Sequence, residues 1–124
     1  MLIGILSDSH NDSLAIDKAI DFFNLRGVSL VLHCGDFSLT RNAKQFEKLK
    51  CGFIAVFGNN DFDRVGMENI ISVFGSINVE PYKFKTAGKI IVMSHRPLGF
   101  IDHEADYMFY GHTHKAMIDK AGRT

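Results

Sequence analysis

Five hydrophobic runs in this chain are each followed by side chains that bind metal ions well. These side chains are Asp8 and His10, then Asp36, Asn59 and His95, and finally His112 and His114. Carboxylate, imidazole and amide groups together suit a first-row divalent ion such as manganese, iron or zinc, rather than a thiolate zinc site or an all-oxygen calcium site. Seven ligands are too many for one tetrahedral centre. The set therefore predicts two ions about 3.5 to 4 Å apart, bridged by a carboxylate and a water, and such pairs hydrolyse phosphate esters.

The spacing of these residues indicates that several strand ends converge on one site. Asp8 and His10 are two residues apart, and in an extended segment this spacing sends both side chains to the same side. A glycine stands immediately before three of the candidate ligands, at positions 35, 58 and 111. A residue without a side chain lets the backbone leave a strand sharply and brings the next side chain inward. Because open parallel sheets bind ligands at the carboxyl ends of their strands, we expect the site at that edge.

Hydrophobic periodicity predicts the elements that position these residues. We expect strands at residues 2–6, 28–32 and 53–57, a helix capped by Asp12 or Ser13 that ends at Gly27, and a helix capped by Thr40. Alternating strands and helices imply a parallel sheet with both faces covered. Runs at 79–84 and 90–93, joined by a turn with Gly88, predict an antiparallel hairpin. Further runs at 106–110 and 116–118 bring the expected count to at least six strands.

Length and composition predict one globular domain. A chain of 124 residues can bury one real core, and 14 basic against 14 acidic residues predict no broad nucleic-acid binding and no attraction to a membrane surface. The opening apolar stretch is too short for a membrane span and lacks a basic segment before it, so a cytoplasmic protein is expected. Cys34 and Cys51 are expected to be free thiols, and Cys34 as a metal ligand is the less favoured alternative.

Taken in order, five segments resemble the calcineurin-like metallophosphoesterases, most closely their small prokaryotic phosphodiesterase branch. The segments are Asp8-Ser9-His10, Gly35-Asp36, Gly58-Asn59-Asn60-Asp61, His95 and Gly111-His112-Thr113-His114. The resemblance implies an α/β fold of four layers, an α/β/β/α sandwich of mixed sheets, formed by residues 1–124 around a dinuclear site. It implies that Asp8, His10 and His114 hold the first metal and that Asn59, His95 and His112 hold the second. Asp36 would bridge the two ions, with a bridging hydroxide as the nucleophile. Manganese is the expected metal, and iron, zinc, nickel or magnesium are alternatives.

Asp36, His10 and Asn60 are the expected catalytic residues, and Asn60 departs from the family pattern. Many members have histidine at this position, where it helps to protonate the leaving group. An amide cannot act as a general acid near neutral pH, so we expect substrates whose leaving group departs without much protonation.

Two further departures concern the second half of the chain. Arg96 and Pro97 follow His95 where glycine is usual, and Arg96 either reaches a substrate phosphate or is a solvated loop cation. The chain ends ten residues after His114, whereas similar proteins continue with further strands, so C-terminal strands of the family are expected to be missing. A strand near Ala116 without its usual partners favours a homo-oligomer, and a truncated product is the alternative.

Three residues near the candidate ligands leave their roles open. His33 is expected to be a hydrogen-bonded, partly buried strand residue, with a role in orienting a ligand as the alternative. Asp61 either supports a ligand histidine or occupies a turn. His103 is expected in a solvated loop.

Two functional classes fit these residues. The first is a metal-dependent phosphodiesterase acting on a small phosphodiester or nucleotide, with Arg41, Arg64 or Arg96 as phosphate contacts. The second is a protein-interaction scaffold, as in the retromer subunit that has this fold. All seven ligands are present, and burying carboxylate and imidazole groups without a cation is costly, so the enzyme is favoured.

Overall fold

The secondary structure consists of eight strands and three helices within the part of the chain that a computed structural model describes, which is residues 2–10, 12–97, 102–111 and, as backbone, 117–119. The elements in chain order are β1 (Ile3–Leu6), α1 (Ser13–Arg26), β2 (Leu30–His33), α2 (Thr40–Gln45) followed by a 3₁₀ turn (Phe46–Lys48), β3 (Gly52–Val56), α3 (Arg64–Ile71), β4 (Ser76–Asn78), β5 (Tyr82–Thr86), β6 (Lys89–Ser94), β7 (Tyr107–Tyr110) and β8 (Met117–Asp119). Within these ranges, no helix is both long enough and apolar enough to cross a membrane.

The first sheet is entirely parallel, with the strand order β1-β2-β3-β4. Its register places Leu6 beside His33, and His33 beside Ala55. The chain therefore leaves β1, β2 and β3 at one common edge, and the segments that follow these strands lie next to one another. This alignment brings together candidate ligands that are far apart in the sequence.

The three helices pack on one face of the first sheet. The Asp12 side chain caps α1 by accepting a hydrogen bond from the Ala15 amide, and Gly27 ends the helix in the left-handed region at φ 64°. Apolar residues of the helices, of one face of the sheet and of the adjoining loops form one core cluster: Ile16, Ile20, Phe23, Val31, Phe37, Ala43, Phe46, Phe53, Ala55, Phe57, Met67, Ile71 and Ile77. Burial of these side chains fixes the helices against the strands.

The second sheet is mixed and has the order β5-β6-β7-β8. Strands β5 and β6 form the expected antiparallel hairpin, with Ala87 and Gly88 at φ 50° and 75° as a two-residue turn of that kind requires. Strands β6 and β7 are parallel, and β7 and β8 are antiparallel. A second core cluster lies between the sheets and contains Leu30, Leu32, Cys34, Val56, Ile91, Met93 and Phe109.

The α/β fold of helices, parallel sheet and mixed sheet that the sequence predicts is confirmed. All three described helices lie on the first sheet. On the second sheet, Val92 and Met108 pack with Ala105 rather than with a described helix. Sequence reasoning missed α3 and β4, which are short. The interpretation of Thr40 as a helix cap was wrong: Thr40 is the first helical residue, and Leu39 precedes it without a side-chain capping bond.

Candidate metal centre

Three loops leave the common edge of the first sheet, and backbone hydrogen bonds join the first two. The Asp8 amide donates to the Gly35 carbonyl at 2.8 Å, and the His10 amide donates to the Asp36 carbonyl at 2.9 Å. The loop after β1 therefore continues the pairing of the sheet beyond the strands themselves. This contact holds two candidate ligands of one loop against a third in the next.

The backbone in these two loops is left-handed rather than extended. Asp8, His10, Asp36 and Ser38 have φ of 53°, 47°, 70° and 72°. The expectation of an extended segment from Asp8 to His10 was therefore wrong. Each such residue costs roughly 1 to 2 kcal/mol relative to an ordinary conformation, and strain of this kind collects at functional sites. The side chains nevertheless meet as expected, because ligand atoms of Asp8, His10 and Asp36 lie within 4.8 Å of one another.

The Asp36 carboxylate lies at the centre of the site and is almost fully buried. Its Oδ2 is 4.0 Å from His10 Nε2 and 3.5 Å from His95 Nε2. Asn60 donates to both oxygens of the same carboxylate, from its backbone amide to Oδ1 at 2.8 Å and from Nδ2 to Oδ2 at 3.1 Å. One carboxylate oxygen thus lies near imidazoles from the two sheets.

The His95 imidazole is fully buried and has a defined orientation. Its Nδ1 is 2.8 Å from the Cys34 carbonyl oxygen, which can only accept, so Nδ1 carries a proton. Its Nε2 is 2.7 Å from Asn59 Oδ1 and faces Asp36 as well. A metal ligand histidine has the same arrangement, with one ring nitrogen bonded to a carbonyl and the other directed at the ion.

Glycine is required where these loops pack closely. A Cβ atom on Gly58 would lie 2.3 Å from Asp36 Oδ1, and one on Gly35 would lie 2.8 Å from the Gly58 amide nitrogen. Gly35 also has a φ of 98°, which disfavours other residues. The glycines therefore permit close contact between neighbouring loops, in addition to the sharp exit from the strand that the sequence predicted.

Asp61 joins two of the loops through their backbone. Its buried carboxylate accepts hydrogen bonds from the amides of Asp36, Phe37, Ser38 and Gly58 at 2.7 to 2.9 Å. Neither alternative from the sequence describes this role fully, because the side chain supports a ligand loop rather than a ligand histidine. Four amide donors satisfy both oxygens and hold the left-handed turn that contains Asp36.

His33 joins the other pair of loops. It is fully buried, accepts from the Gly35 amide through Nδ1 at 3.0 Å, and contacts Ser9 Oγ through Nε2 at 2.9 Å. Because Nδ1 accepts, the proton of the neutral ring is on Nε2. Burial, with smaller effects from His95 and His10, lowers the pKa of His33 to about 3. The sequence predicted a hydrogen-bonded strand residue, and the bonds connect it to loops that carry candidate ligands.

Glu80 supports His95 and was not singled out from the sequence. Its Oε2 accepts from the backbone amides of His95 and Arg96, and its Oε1 accepts from Arg96 Nε at 3.1 Å. The residue lies between β4 and β5, fifteen positions before His95. No local pattern connects the two positions, so only the folded chain shows that they meet.

The other candidates have varied surroundings. Cys34 and Cys51 are free thiols, and burial, with smaller effects from Asp8 and Glu80, raises the pKa of Cys34 to about 12, which disfavours a thiolate ligand. The guanidinium carbon of Arg64 lies 4.7 Å from the Phe57 ring centre. Arg41 is exposed. His103 is also exposed, as expected for a residue of a solvated loop.

The structure therefore brings together Asp8, His10, Asp36, Asn59 and His95, with Asn60 beside them. The two other expected ligands, His112 and His114, lie outside the described residues. Gly111, which precedes them, donates its amide to the Ser94 carbonyl at 3.2 Å. The donor set that can be described, of carboxylate, imidazole and amide groups, fits first-row divalent ions.

Comparison with known proteins places the chain in one family. The model of the calcineurin-like phosphoesterase superfamily domain matches residues 1–124. The chain is 35% identical over 133 residues to phosphodiesterase MJ0936 of Methanocaldococcus jannaschii, and the match covers 97% of this chain and 77% of that protein.

Solved structures agree with this match. A chain described as a novel archaeal phosphodiesterase is 34% identical with a TM-score of 0.73, and 77% of this chain and 59% of that chain are covered. A conserved protein of Streptococcus pneumoniae, described as a predicted phosphoesterase, is 27% identical with a TM-score of 0.51, covering 75% and 44%. The matched region thus corresponds to little more than half of the first solved chain.

Proposed function

We propose that this chain, which belongs to the calcineurin-like phosphoesterase superfamily, hydrolyses a small phosphodiester or nucleotide with two divalent metal ions. Both the curated relative and one solved neighbour are named phosphodiesterases. Family membership implies divalent metal ions, and manganese is the first to test. The homo-oligomer expected from the sequence stays a prediction.

The single observation that carries the proposal is the position of Asp36. One oxygen of its buried carboxylate faces His10 from the first sheet at 4.0 Å and His95 from the second at 3.5 Å. A buried carboxylate oxygen with imidazoles from two sheets near it suits a ligand shared between two ions. An ordinary turn aspartate would be exposed and would not need histidines from two sheets beside it.

The described residues divide between two metal positions around Asp36. Asp8 and His10 would hold one ion, and Asn59 and His95 would hold the other, with His114 and His112 completing the two sets by the family resemblance. Bound ions of this kind neutralise phosphoryl oxygens and lower the pKa of a water molecule so that it can attack phosphorus. His95 and Asp36 are buried, so both side chains are shielded from bulk solvent.

Asn60 determines which leaving groups suit the site. Its Nδ2 donates to Asp36 Oδ2 and thus fixes the central carboxylate, but an amide is too weak an acid to protonate a departing oxygen near neutral pH. Substrates that leave as stable anions are therefore favoured. An aryl diester such as bis(4-nitrophenyl) phosphate is the suitable probe.

Replacing Asp36 with asparagine tests the proposal. Asp36→Asn keeps the shape of the side chain but removes the shared charge, so kcat/KM for bis(4-nitrophenyl) phosphate in manganese buffer is expected to fall roughly 100-fold or more. The amount of manganese bound per chain, measured by elemental analysis, is expected to be two ions in the unchanged protein and fewer in Asp36→Asn. Asp21→Asn, an exposed position on α1, is the control and should retain both activity and metal.

Either of two results would contradict the proposal. Unchanged hydrolysis by Asp36→Asn would refute a shared ligand. A wild-type protein that binds two ions but hydrolyses no diester would favour the scaffold function instead.

A further inference from the structure

Arg96 is held firmly although much of its side chain is exposed. Its Nε donates to Glu80 Oε1 at 3.1 Å, and its backbone amide donates to Glu80 Oε2 at 3.3 Å. Its carbonyl accepts from Ser94 Oγ at 2.7 Å. The side chain is nevertheless 65% exposed, whereas that of Glu80 is 18% exposed. The arginine is thus fixed at its base and open at its tip.

The open tip is the part of arginine that binds phosphate. Among the residues that the structure describes, the two terminal nitrogens of Arg96 have no hydrogen-bond partner. A guanidinium group donates two parallel hydrogen bonds to phosphate, which a lysine ammonium cannot do. Because Glu80 already fixes Nε, less side-chain entropy is lost when an anion binds.

The place of Arg96 in the fold distinguishes the anion that it would bind. His95, immediately before it, is fully buried and faces Asp36 at the bottom of the site. Arg96 lies one residue further along the chain, and its side chain is largely exposed. Metal ions at the bottom would balance the charge of the phosphodiester that is hydrolysed. An exposed arginine that directly follows a candidate ligand would be available to a second anionic group of the same substrate.

This inference rests on the proposed function and adds the substrate class to it. We propose that Arg96 is a specificity-determining residue that binds a second phosphate, next to the phosphodiester that is hydrolysed. Glu80 is its positioning residue. Substrates that carry a terminal monophosphate beside the phosphodiester are therefore preferred over substrates that carry the phosphodiester alone.

A pair of dinucleotides isolates the effect of the second phosphate. ApA and pApA contain the same phosphodiester, and only pApA carries a 5′-phosphate. We expect kcat/KM of the manganese-loaded wild-type chain to be roughly tenfold higher for pApA, mainly through a lower KM. Arg96→Ala should abolish this preference, and the ratio of the two kcat/KM values is compared within each variant because loss of Arg96 also changes the surroundings of Glu80, which supports His95.

Two further variants control the measurement. Arg96→Lys keeps a positive charge for Glu80 but lacks the fork, so it should show a reduced preference, and it serves in place of Arg96→Ala if that variant does not fold. Arg26→Ala removes an arginine at the far end of α1, where it lies over the Phe22 ring, and should keep the full preference. Melting temperatures establish that each variant is folded.

The possible failures are distinguishable. Equal kcat/KM for ApA and pApA in the wild type, or a preference that persists in Arg96→Ala or is undiminished in Arg96→Lys, would overturn the inference alone. Hydrolysis of bis(4-nitrophenyl) phosphate but of neither dinucleotide would overturn the inference alone, whereas absence of hydrolysis of all three compounds would overturn the proposed function and the inference with it.

Discussion

The two sheets position their candidate ligands in different ways. On the first sheet, Asp8, His10 and Asp36 lie on left-handed backbone in loops that extend past the strand ends. On the second sheet, His95 directly follows the last residue of β6 and is not among the residues with positive φ. One region thus uses strained loops and the other a regular strand.

The supporting contacts differ accordingly. Asp61 and His33 hold the first region by accepting hydrogen bonds from backbone amides of the loops themselves. His95 is held by the Cys34 carbonyl on its ring and by Glu80 on its amide. The backbone amides of a strained loop need hydrogen-bond acceptors before any metal ion binds, whereas a histidine at a strand end needs only to be oriented. Changes in the first region should therefore affect folding most, and changes in the second should affect metal binding most.

The largest effect is expected for Asp61→Asn. The new amide would direct an N–H group at backbone donors, so at least one buried donor would lose its acceptor, and we expect a loss of about 3 kcal/mol or more in the free energy of unfolding. Urea denaturation without metal measures it. Asp63→Asn is the matched control, because the Asp63 side chain accepts from a single amide among the described residues, that of Gly66 at the cap of α3, and asparagine caps equally well. Equal effects of the two substitutions would show that Asp61 does not hold the loops.

An intermediate effect is expected for Glu80→Gln, and here it should appear in metal binding. Loss of the charge weakens the bonds that orient His95, and residues that support ligands typically contribute roughly 10 to 100-fold to metal affinity. Titration calorimetry with manganese measures this change. Unfolding without metal should change by only about 1 kcal/mol. A large loss of stability with unchanged metal affinity would reverse the comparison between the two regions.

The smallest effect concerns His33 and pH. Burial lowers its pKa to about 3 in the folded chain, whereas the unfolded chain takes up a proton near the ordinary value of about 6.5. Folding stability should therefore fall as pH decreases below about 6.5, by up to about 1.4 kcal/mol per pH unit from this residue. Urea denaturation of metal-free protein between pH 7 and 5 measures the slope. In His33→Gln, the slope of the unfolding free energy against pH should be smaller by up to about 1.4 kcal/mol per pH unit, because one group that takes up a proton on unfolding is removed. Identical slopes in the two proteins would show that the His33 ring does not remain neutral.

Much of the fold could be predicted from the sequence because its signals are local. Helix α1 has apolar residues at positions 16, 20 and 23, an aspartate cap and a terminal glycine, and all of these act within one element. The hairpin of β5 and β6 is encoded by the turn around Gly88. Helix α3 was missed because it is only eight residues long and contains Gly66, and of its four apolar residues only Met67 and Ile71 become buried.

The candidate site could be predicted in part for a related reason. Ligands such as Asp36 and Asn59 follow strand ends, and parallel strands end at one edge, so their convergence follows from order along the chain. The supporting residues could not be found in this way. Glu80 and Asp61 act on amides fifteen to twenty-five residues away, and only the packing of the loops creates these contacts.

The sequence by itself determined the element types, the metal-binding residue types and their order along the chain, because these depend on local periodicity and on the chemistry of single side chains. Only the tertiary structure decided how these groups are arranged. Left-handed turns at Asp8, His10 and Asp36, the proton position on His95 and the anchoring of Arg96 all depend on hydrogen bonds between distant segments. Such bonds form only once burial of the two core clusters has brought the sheets together, since the energy that holds these strained turns comes from the surrounding packing.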